Sequence, residues 1–250
     1  MDHRIFRHQI AMILAAGYGT RMKDLTRNLP KPLIPLNGFR LIDIHLLKLK
    51  REGFKRVIIN IHYLREAMRE YLTSHDWGVE ICLSEEEELL GTGGGIAYAE
   101  QFFEQQTIMT LNADVLCNIS LQDFIRFHNS HLPLATMAIY PSTNTRDYTL
   151  VVFDNENQLV GFLPRNATLP KGLKSGIFTG YQILTPEARS YLTPHPQSII
   201  TAFYQQALKE DLPIKVFPVQ GNWIDVGTRE LYESVRDKIR KGELDITDFM

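Results

Sequence analysis

Between residues 9 and 113 short apolar runs alternate with amphipathic helical patterns, and this alternation constrains the fold more than any other feature of the chain. QIAMILA (9–15), VIINI (57–61), VEICL (79–83) and TIMTLNA (107–113) read as strands. Between them, LIDIHLLKLKREG (41–53, closed by its glycine), YLREAMREYLTS (63–74) and GGIAYAEQFFEQ (94–105) read as helices. Strand–helix–strand units at this spacing predict right-handed crossovers and a mostly parallel sheet covered on both faces.

Beyond residue 120 the pattern changes. Ser120 is placed to cap the helix LQDFIRFHNS through its hydroxyl. LATMAIY (134–140), TLVVFD (149–154) and QLVGFL (158–163) follow as strands on short links, with DNEN (154–157) as a hairpin turn. Consecutive strands of this kind pair antiparallel, which predicts a mixed lobe added to the same sheet. PRNATLPKGLKSG (164–176) reads as a mobile surface loop, GIFTGYQIL (176–184) as strand and SIITAFYQQALKED (198–211) as helix. WIDVGTRELYESVRDKIRKG (223–242) reads as strand, turn and closing helix; the tail ELDITDFM carries no β-helix repeat, so no fused acyltransferase is expected. The expected fold class is a three-layer α/β/α Rossmann-like arrangement with a mixed, mostly parallel central sheet. A single domain over 1–250 is long enough to bury roughly three quarters of its unfolded surface.

Charge and cysteine content narrow the partners. With 27 Lys+Arg against 29 Asp+Glu the formal charge is −2, so no global basic field gathers nucleic acid or anionic lipid, and any polyanion must be met locally. Cys82 and Cys117 each sit in an apolar run without a CxxC partner or metal-type spacing, and read as two buried thiols in a reducing cytosol. The polar start MDHRIFRHQ has no apolar core of a leader, and no apolar run approaches the ~18 residues of a membrane span. A cytoplasmic protein with no membrane partner is expected.

The first strand breaks into a glycine turn, ILAAGYGTRM (13–22). Gly17 and Gly19 begin a GxGxxG, but Met22 holds the third position, where a dinucleotide fold needs glycine for close helix packing. No GK[ST] follows, so the turn is not a P-loop. What remains is a set of backbone N–H groups presented to an anion, with the forked donor Arg21 beside them. In LPKPLIPLNG (29–38) Lys31 stands between two prolines, which fix φ and bias their neighbours to extended backbone, a stiff arm for a cation.

Together, ILAAGYGTRMKDLTRNLPKPLIP (13–35) resembles the signature of the sugar-1-phosphate nucleotidylyltransferases, LAAGxGTRMxPLTxxxPKPLxP, departing where Asp24 replaces the usual proline. LGTGGGI (90–96) is similar to that family's second nucleotide loop, and NADV (112–115) to its metal-aspartate motif. FTGYQIL (178–184) resembles its sugar-site strand, and GNWIDVGTRELY (221–232) the segment with a second metal carboxylate. The five segments run in the family's order and cover nearly the whole chain. The resemblance implies the GT-A-like nucleotidyltransferase fold, with a nucleotide-binding half over about 8–120, a sugar-binding half over about 121–230 and a C-terminal helix to 241.

It also implies a reaction: an oxygen of a sugar-1-phosphate attacks the α-phosphorus of an NTP and pyrophosphate leaves, which asks the protein for positioning and charge neutralisation more than for covalent chemistry. By this resemblance Arg21, Lys31, Asp114 and Asp225 are the catalytic residues, and Asp114 and Asp225 would hold Mg²⁺. Leu14, Ala15, Ala16, Gly17, Gly19, Thr20, Glu86, Thr92 and Gly93 would bind the nucleotide, and Arg165, Thr179 and Gly180 the sugar phosphate. NTP and sugar-1-phosphate are the expected partners; oligomeric state is open.

Three departures bear on specificity. Relatives commonly carry EKP where this chain has LPR (163–165), so Arg165 replaces the lysine's charge and no glutamate contacts a sugar hydroxyl. They often have YG where Tyr148 and Thr149 stand. Uridylyl-transferring relatives place a glutamine shortly before the LGTG loop, where this chain offers Glu85 and Glu86. A carboxylate accepts from two donors at once, as guanine N1–H and N2–H₂ present them, which leans toward guanylyl transfer, as in mannose-1-phosphate guanylyltransferases. The short single-domain GTGGGI type also resembles muramic-acid-1-phosphate uridylyltransferases. The acidic run 85–88 otherwise reads as a solvated edge. The altered sugar-side motif keeps a second class open, a catalytically weak nucleotide-sugar-binding regulatory subunit. A glycosyltransferase is disfavoured because its metal motif is of DxD type and it has no use for a triphosphate-gripping GTR…PKP arm.

Overall fold

The computed structural model describes residues 3–7, 10–144 and 146–250; His8 and Gln9, where the first half and its first strand are expected to begin, lie outside the described residues. In chain order the elements are β1 (Ile10–Leu14), the two-residue strands β2 (Pro35–Leu36) and β3 (Phe39–Arg40), α1 (Leu41–Arg51), β4 (Arg56–Ile61), α2 (Arg65–Thr73), β5 (Glu80–Glu85), α3 (Gly91–Tyr98), β6 (Ile108–Asn112), β7 (Val115–Cys117) and α4 (Leu121–His131). The second half adds β8 (Ala135–Pro141), β9 (Leu150–Phe153), β10 (Leu159–Leu163), β11 (Lys174–Leu184), α5 (Pro186–Arg189), a π-helical turn (Ile200–Tyr204) continuing as α6 (Gln205–Lys209), β12 (Ile214–Pro218), β13 (Trp223–Asp225) and α7 (Arg229–Arg240).

β5, β4, β1 and β6 are neighbours and parallel, β11 lies antiparallel between β6 and β8, and β12 closes the sheet parallel to β8. The β9–β10 hairpin pairs with the leading end of β11. The apolar runs are continuous because both faces are covered. Ala11, Ile13, Val57 and Ile59 pack in one core with residues of α1, α2 and α4, while Ile10, Met12 and Ile58 pack in another with residues of α3, α5, the π turn and α6. A third, smaller core holds Tyr232 and Val235 of α7 against Met22, Ile34, Leu36 and Leu41. No helix among the described residues is long and apolar enough to cross a membrane.

The fold class is as the alternation predicts, and Ser120 caps α4, its Oγ accepting from Asp123 N at 3.2 Å. Several details differ. β8 and β9 are not neighbours, because β11 runs between them; a pairing partner 24 residues later in the chain is invisible to a local pattern. The loop expected over 164–176 gives up 174–176 to β11. The helix expected over 94–105 begins at Gly91 and ends at Tyr98, with one 3₁₀ turn (Glu100–Phe102) after it. The helix expected over 198–211 opens with the π turn, and β12 has no counterpart in the sequence reading.

The sheet reverses direction of growth at β1: β4 and β5 extend on one side and β6 returns on the other. Such a switch point leaves a crevice at the carboxyl ends of the strands, where ligands of open α/β sheets bind.

Candidate active site

Out of β1 the chain enters the glycine turn. Ala15 N–H donates to Asn60 Oδ1 at 2.7 Å, tying the turn to the carboxyl end of β4. Nothing lies within 4 Å of where a Gly17 side chain would start. Gly19 takes the left-handed conformation (φ 65°, ψ 25°), and a Cβ there would press on Thr26 Cγ2 at 3.0 Å and Lys31 Cβ at 3.2 Å. Glycine at 19 therefore lets the chain turn into the 3₁₀ segment Thr20–Thr26 that carries Arg21. A cavity of about 310 Å³ opens here, walled by residues 14–17, Gly19, Thr20, Arg21, Lys31, Asn60, Thr92, Asn112 and Asp114 among others.

Pro30 is extended (φ −63°, ψ 142°), but Lys31–Leu33 forms a single 3₁₀ turn instead of the extended arm that two flanking prolines predict. The turn carries Lys31 inward, its side chain only 9% exposed, and Nζ donates to Asp114 Oδ2 at 2.6 Å.

Asp114 sits in the tight turn between β6 and β7. β13 pairs antiparallel with β7 so that Asp225 faces Val115, and Val226 N–H donates to Asp114 O at 2.9 Å. This small ladder is what brings two carboxylates 111 residues apart in sequence to one spot. Burial raises the Asp225 carboxyl above its ordinary value and the Asp114 charge raises it further, against the opposing pull of the Gly227 N–H, Lys31 and Arg21. Asp225 Oδ1 accepts from Gly227 N at 2.6 Å, and a Cβ on Gly227 would meet Arg21 Nη2 at 3.2 Å, so the guanidinium lies beside this turn. Two carboxylates and two cations thus share one corner of the cavity. From beneath, α1 braces the Asp114 turn. His45 Nε2 lies 3.3 Å from Ala113 O, and burial lowers the imidazole to about 4, so the neutral ring donates. Lys48 donates to Cys117 O at 2.6 Å, with burial lowering its ammonium to about 8.

Of the sequence-derived residues, Leu14, Ala15, Ala16, Gly17, Gly19, Thr20, Arg21, Lys31, Thr92 and Asp114 line this cavity, and Asp225 abuts it through Gly227. Four others stand elsewhere. Glu86 is fully buried behind the wall, accepting from Asn60 Nδ2 at 2.7 Å and Leu90 N at 3.0 Å, so the run 85–88 is no simple solvated edge. Gly93 N–H donates to Gln197 O at 3.0 Å and does not reach the cavity. Thr179 is buried in the sheet, its hydroxyl donating to Ala138 O at 2.8 Å. Arg165 is exposed on the 164–173 loop and lines no part of the cavity. Gly180, at φ 86°, packs against the side chain of Asn112, which does line it.

The sequence reading missed Asn60 and Asn112. Each is an amide side chain near the carboxyl end of a mostly apolar, largely buried strand, and that contrast is the signal that could have marked them. An aromatic wall stands beside Asp225, outside the residues that line the cavity; the sequence reading marked Tyr148 in it but not its partners: Trp223 stacks with Tyr140 (6.0 Å, 25°) and meets Tyr148 edge-on (5.6 Å). Burial raises the Tyr148 phenol, with the Asp225 charge adding to it, and the buried Trp223 Nε1 has no partner among the described residues.

The family model described as "Nucleotidyl transferase" matches residues 10–242. Among curated proteins, the mannose-1-phosphate guanyltransferase beta-A of Xenopus laevis is 28% identical over 222 residues, covering 87% of this chain and 61% of that protein. The mannose-1-phosphate guanyltransferase of Pichia angusta is 30% identical over 222 residues, covering 86% and 60%. This chain thus spans about three fifths of the length of these curated relatives. Among solved structures, HddC from Yersinia pseudotuberculosis superposes with a TM-score of 0.78 at 23% identity, covering 92% of this chain and 99% of that one. A UDP-glucose pyrophosphorylase complexed with UDP-glucose superposes at 0.76 with 18% identity, covering 94% and 99%. At these identities the structures speak for the fold.

Proposed function

The chain belongs to the nucleotidyl transferase family, and from that premise we propose that it transfers a nucleotidyl group from an NTP to a sugar-1-phosphate, releasing pyrophosphate and an NDP-sugar. The observation that carries the reading is the meeting of Arg21, Lys31, Asp114 and the Asp225 turn at one corner of a cavity on the sheet's switch point. Guanylyl transfer is the favoured form, supported by relatives named mannose-1-phosphate guanyltransferase. Uridylyl transfer is the competing form.

In this reading a phosphate oxygen of the sugar-1-phosphate attacks the α-phosphorus, a P–O bond forms, and the bond from the α-phosphorus to the bridging oxygen breaks in line, its electron pair leaving with pyrophosphate. The chain supplies position and charge. Arg21 meets the departing β- and γ-phosphates with its fork of donors. Lys31 has three ammonium protons, one engaged with Asp114, and offers the others to the α-phosphate and the attacking phosphate. The cavity wall from Ala15 to Gly19 holds triphosphate and ribose. Asp114 and Asp225 form an acidic pair, the Asp225 carboxyl raised first by burial and then by the Asp114 charge, and such a pair suits a divalent cation that prefers one or two carboxylates plus substrate phosphates. Mg²⁺ held there would neutralise the charge that builds up between the two phosphates. Sugar contact falls to the aromatic wall of Tyr148 and Trp223 and to the backbone near Gly180, with Arg165 reaching the sugar phosphate only if its loop moves.

The test is pyrophosphate release with Mg²⁺, each of GTP, UTP, CTP, dTTP and ATP, and a panel of hexose- and aminosugar-1-phosphates. Turnover with one pair, abolished in Asp114→Asn and Asp225→Asn, is expected. NTP binding with silence across the panel would move the assignment to a nucleotide-binding regulatory subunit.

A further inference from the structure

Behind the cavity wall one buried carboxylate joins three separate segments. Glu86, with no exposed surface, accepts from Asn60 Nδ2 through Oε1 (2.7 Å) and from Leu90 N through Oε2 (3.0 Å). Asn60 in turn accepts from Ala15 N–H through Oδ1 at 2.7 Å. The polarity of the amide follows from its neighbours: a backbone N–H on one side demands the oxygen there, and the carboxylate on the other demands the NH₂. The chain of bonds runs from the glycine turn after β1, through the end of β4, to the loop that opens α3. Gly95 leaves room for it, since a Cβ there would lie 2.6 Å from Glu86 Oε1 and 2.8 Å from Asn60 Nδ2.

We propose that Glu86 is a positioning residue that, acting through Asn60, fixes the two nucleotide-facing loops relative to each other and does not read the base. The inference rests on the reading of the cavity as an NTP site. A carboxylate suits the task because both its oxygens accept. Both donors aimed at it, an amide NH₂ and a peptide N–H, would otherwise be buried without a partner, and a buried unsatisfied donor is costly. A glutamine cannot replace it alone: whichever way its amide faces, two donors oppose each other at Ala15, Asn60 or Leu90.

The same logic prescribes a rescue. Asn60→Asp alone sets two carboxylates against each other, but Asn60→Asp with Glu86→Gln restores every bond with reversed polarity at the central joint. The aspartate accepts from Ala15 N–H and from the glutamine NH₂, and the glutamine oxygen accepts from Leu90 N–H. The experiment measures amide hydrogen exchange at Ala15 and Leu90 in the ligand-free protein, together with the dissociation constants of GTP and UTP, for wild type, Glu86→Gln, Asn60→Asp and the double variant. Each single variant is expected to speed exchange at both amides and weaken both nucleotides about tenfold alike, and the double variant to recover both. Unchanged exchange in Glu86→Gln overturns the proposal. So does a shift in the GTP to UTP ratio that the double variant fails to reverse, which is the mark of a base-reading glutamate. If wild type binds no NTP, the reading of the cavity fails, while exchange still decides whether the clasp exists.

Discussion

Ala15–Gly19, the loop after β1, and Gly91–Gly95, where the second loop passes into the first residues of α3, are both glycine-rich and both reach the same cavity, yet their glycines meet different neighbours. Gly17 faces open space. In the second loop a Cβ at 91 would approach Gln197 O at 2.7 Å, one at 93 would meet Gln197 Cγ and Ile199 N at 3.1 Å, and one at 94 would strike His195 O. Gln197 N donates to Leu90 O at 2.9 Å and Ile199 N to Thr92 Oγ1 at 3.0 Å, so residues 195–199 are bonded along the loop like a strap. The first loop keeps its backbone bare toward the cavity, whereas the second spends its lack of side chains on backbone-to-backbone packing. Glycine content alone does not say which surface a loop offers to a ligand.

Substitutions should separate the two loops by what they damage. The largest effect is expected in the first, where Arg21→Ala removes an exposed cation: turnover should fall about 10²–10³-fold while the melting temperature moves by no more than about 2 °C. Steady-state rates and calorimetry on one preparation check both halves, and full turnover would remove the first loop's claim to the triphosphate. In the second loop the order reverses. Gly94→Ala drives a methyl into the His195 carbonyl and should cost about 3 kcal/mol, lowering Tm by about 6–12 °C.

Beneath the Asp114 turn, His45 supplies a pH test. Its folded-state value of about 4 lies below the ordinary 6.5, so the unfolded chain takes up the proton first. Stability from this group is fully present above about pH 6.5 and is lost as pH falls toward 4, roughly 3 kcal/mol over the window. Urea unfolding from pH 7 to 4 should fall less steeply by that amount in His45→Gln, which keeps a donor for Ala113 O. A smaller effect is expected for Thr92→Val, which leaves Ile199 N–H without its acceptor at a cost of ~1–2 kcal/mol by the same unfolding assay. Least of all, Gly17→Ala meets no atom and should leave Tm unchanged; a Tm loss rivalling that of Gly94→Ala would erase the contrast.

Much of the fold was legible because local chemistry dictates it. A run such as Ile10–Leu14 with no polar interruption can satisfy its backbone and hide both faces only inside a covered sheet. Ser120 caps α4 through its own hydroxyl, a bond that spans three residues and so can be read from spacing. β12 was missed because IKVFP carries a lysine and a proline in five residues and is a strand only through its parallel pairing with β8. The π turn at 200–204 likewise has no local signature in ITAFY.

The site divides in the same way. By itself the sequence determined the glycine turn with Arg21 beside it and Lys31 between its prolines, because residue type and short spacing limit where such groups can sit, while the family resemblance singled out Asp114 and Asp225 near strand ends. Only the tertiary structure decided that Lys31 is bent inward onto Asp114, that β13 lays Asp225 beside it, and that Glu86 in an acidic run is buried while Thr179 and Gly93 face away from the cavity. Those outcomes depend on which distant segment fills the neighbouring space. The strap at 195–199 and the strand at 223–225 arrive from more than 100 residues away, and nothing in the local chain encodes their approach.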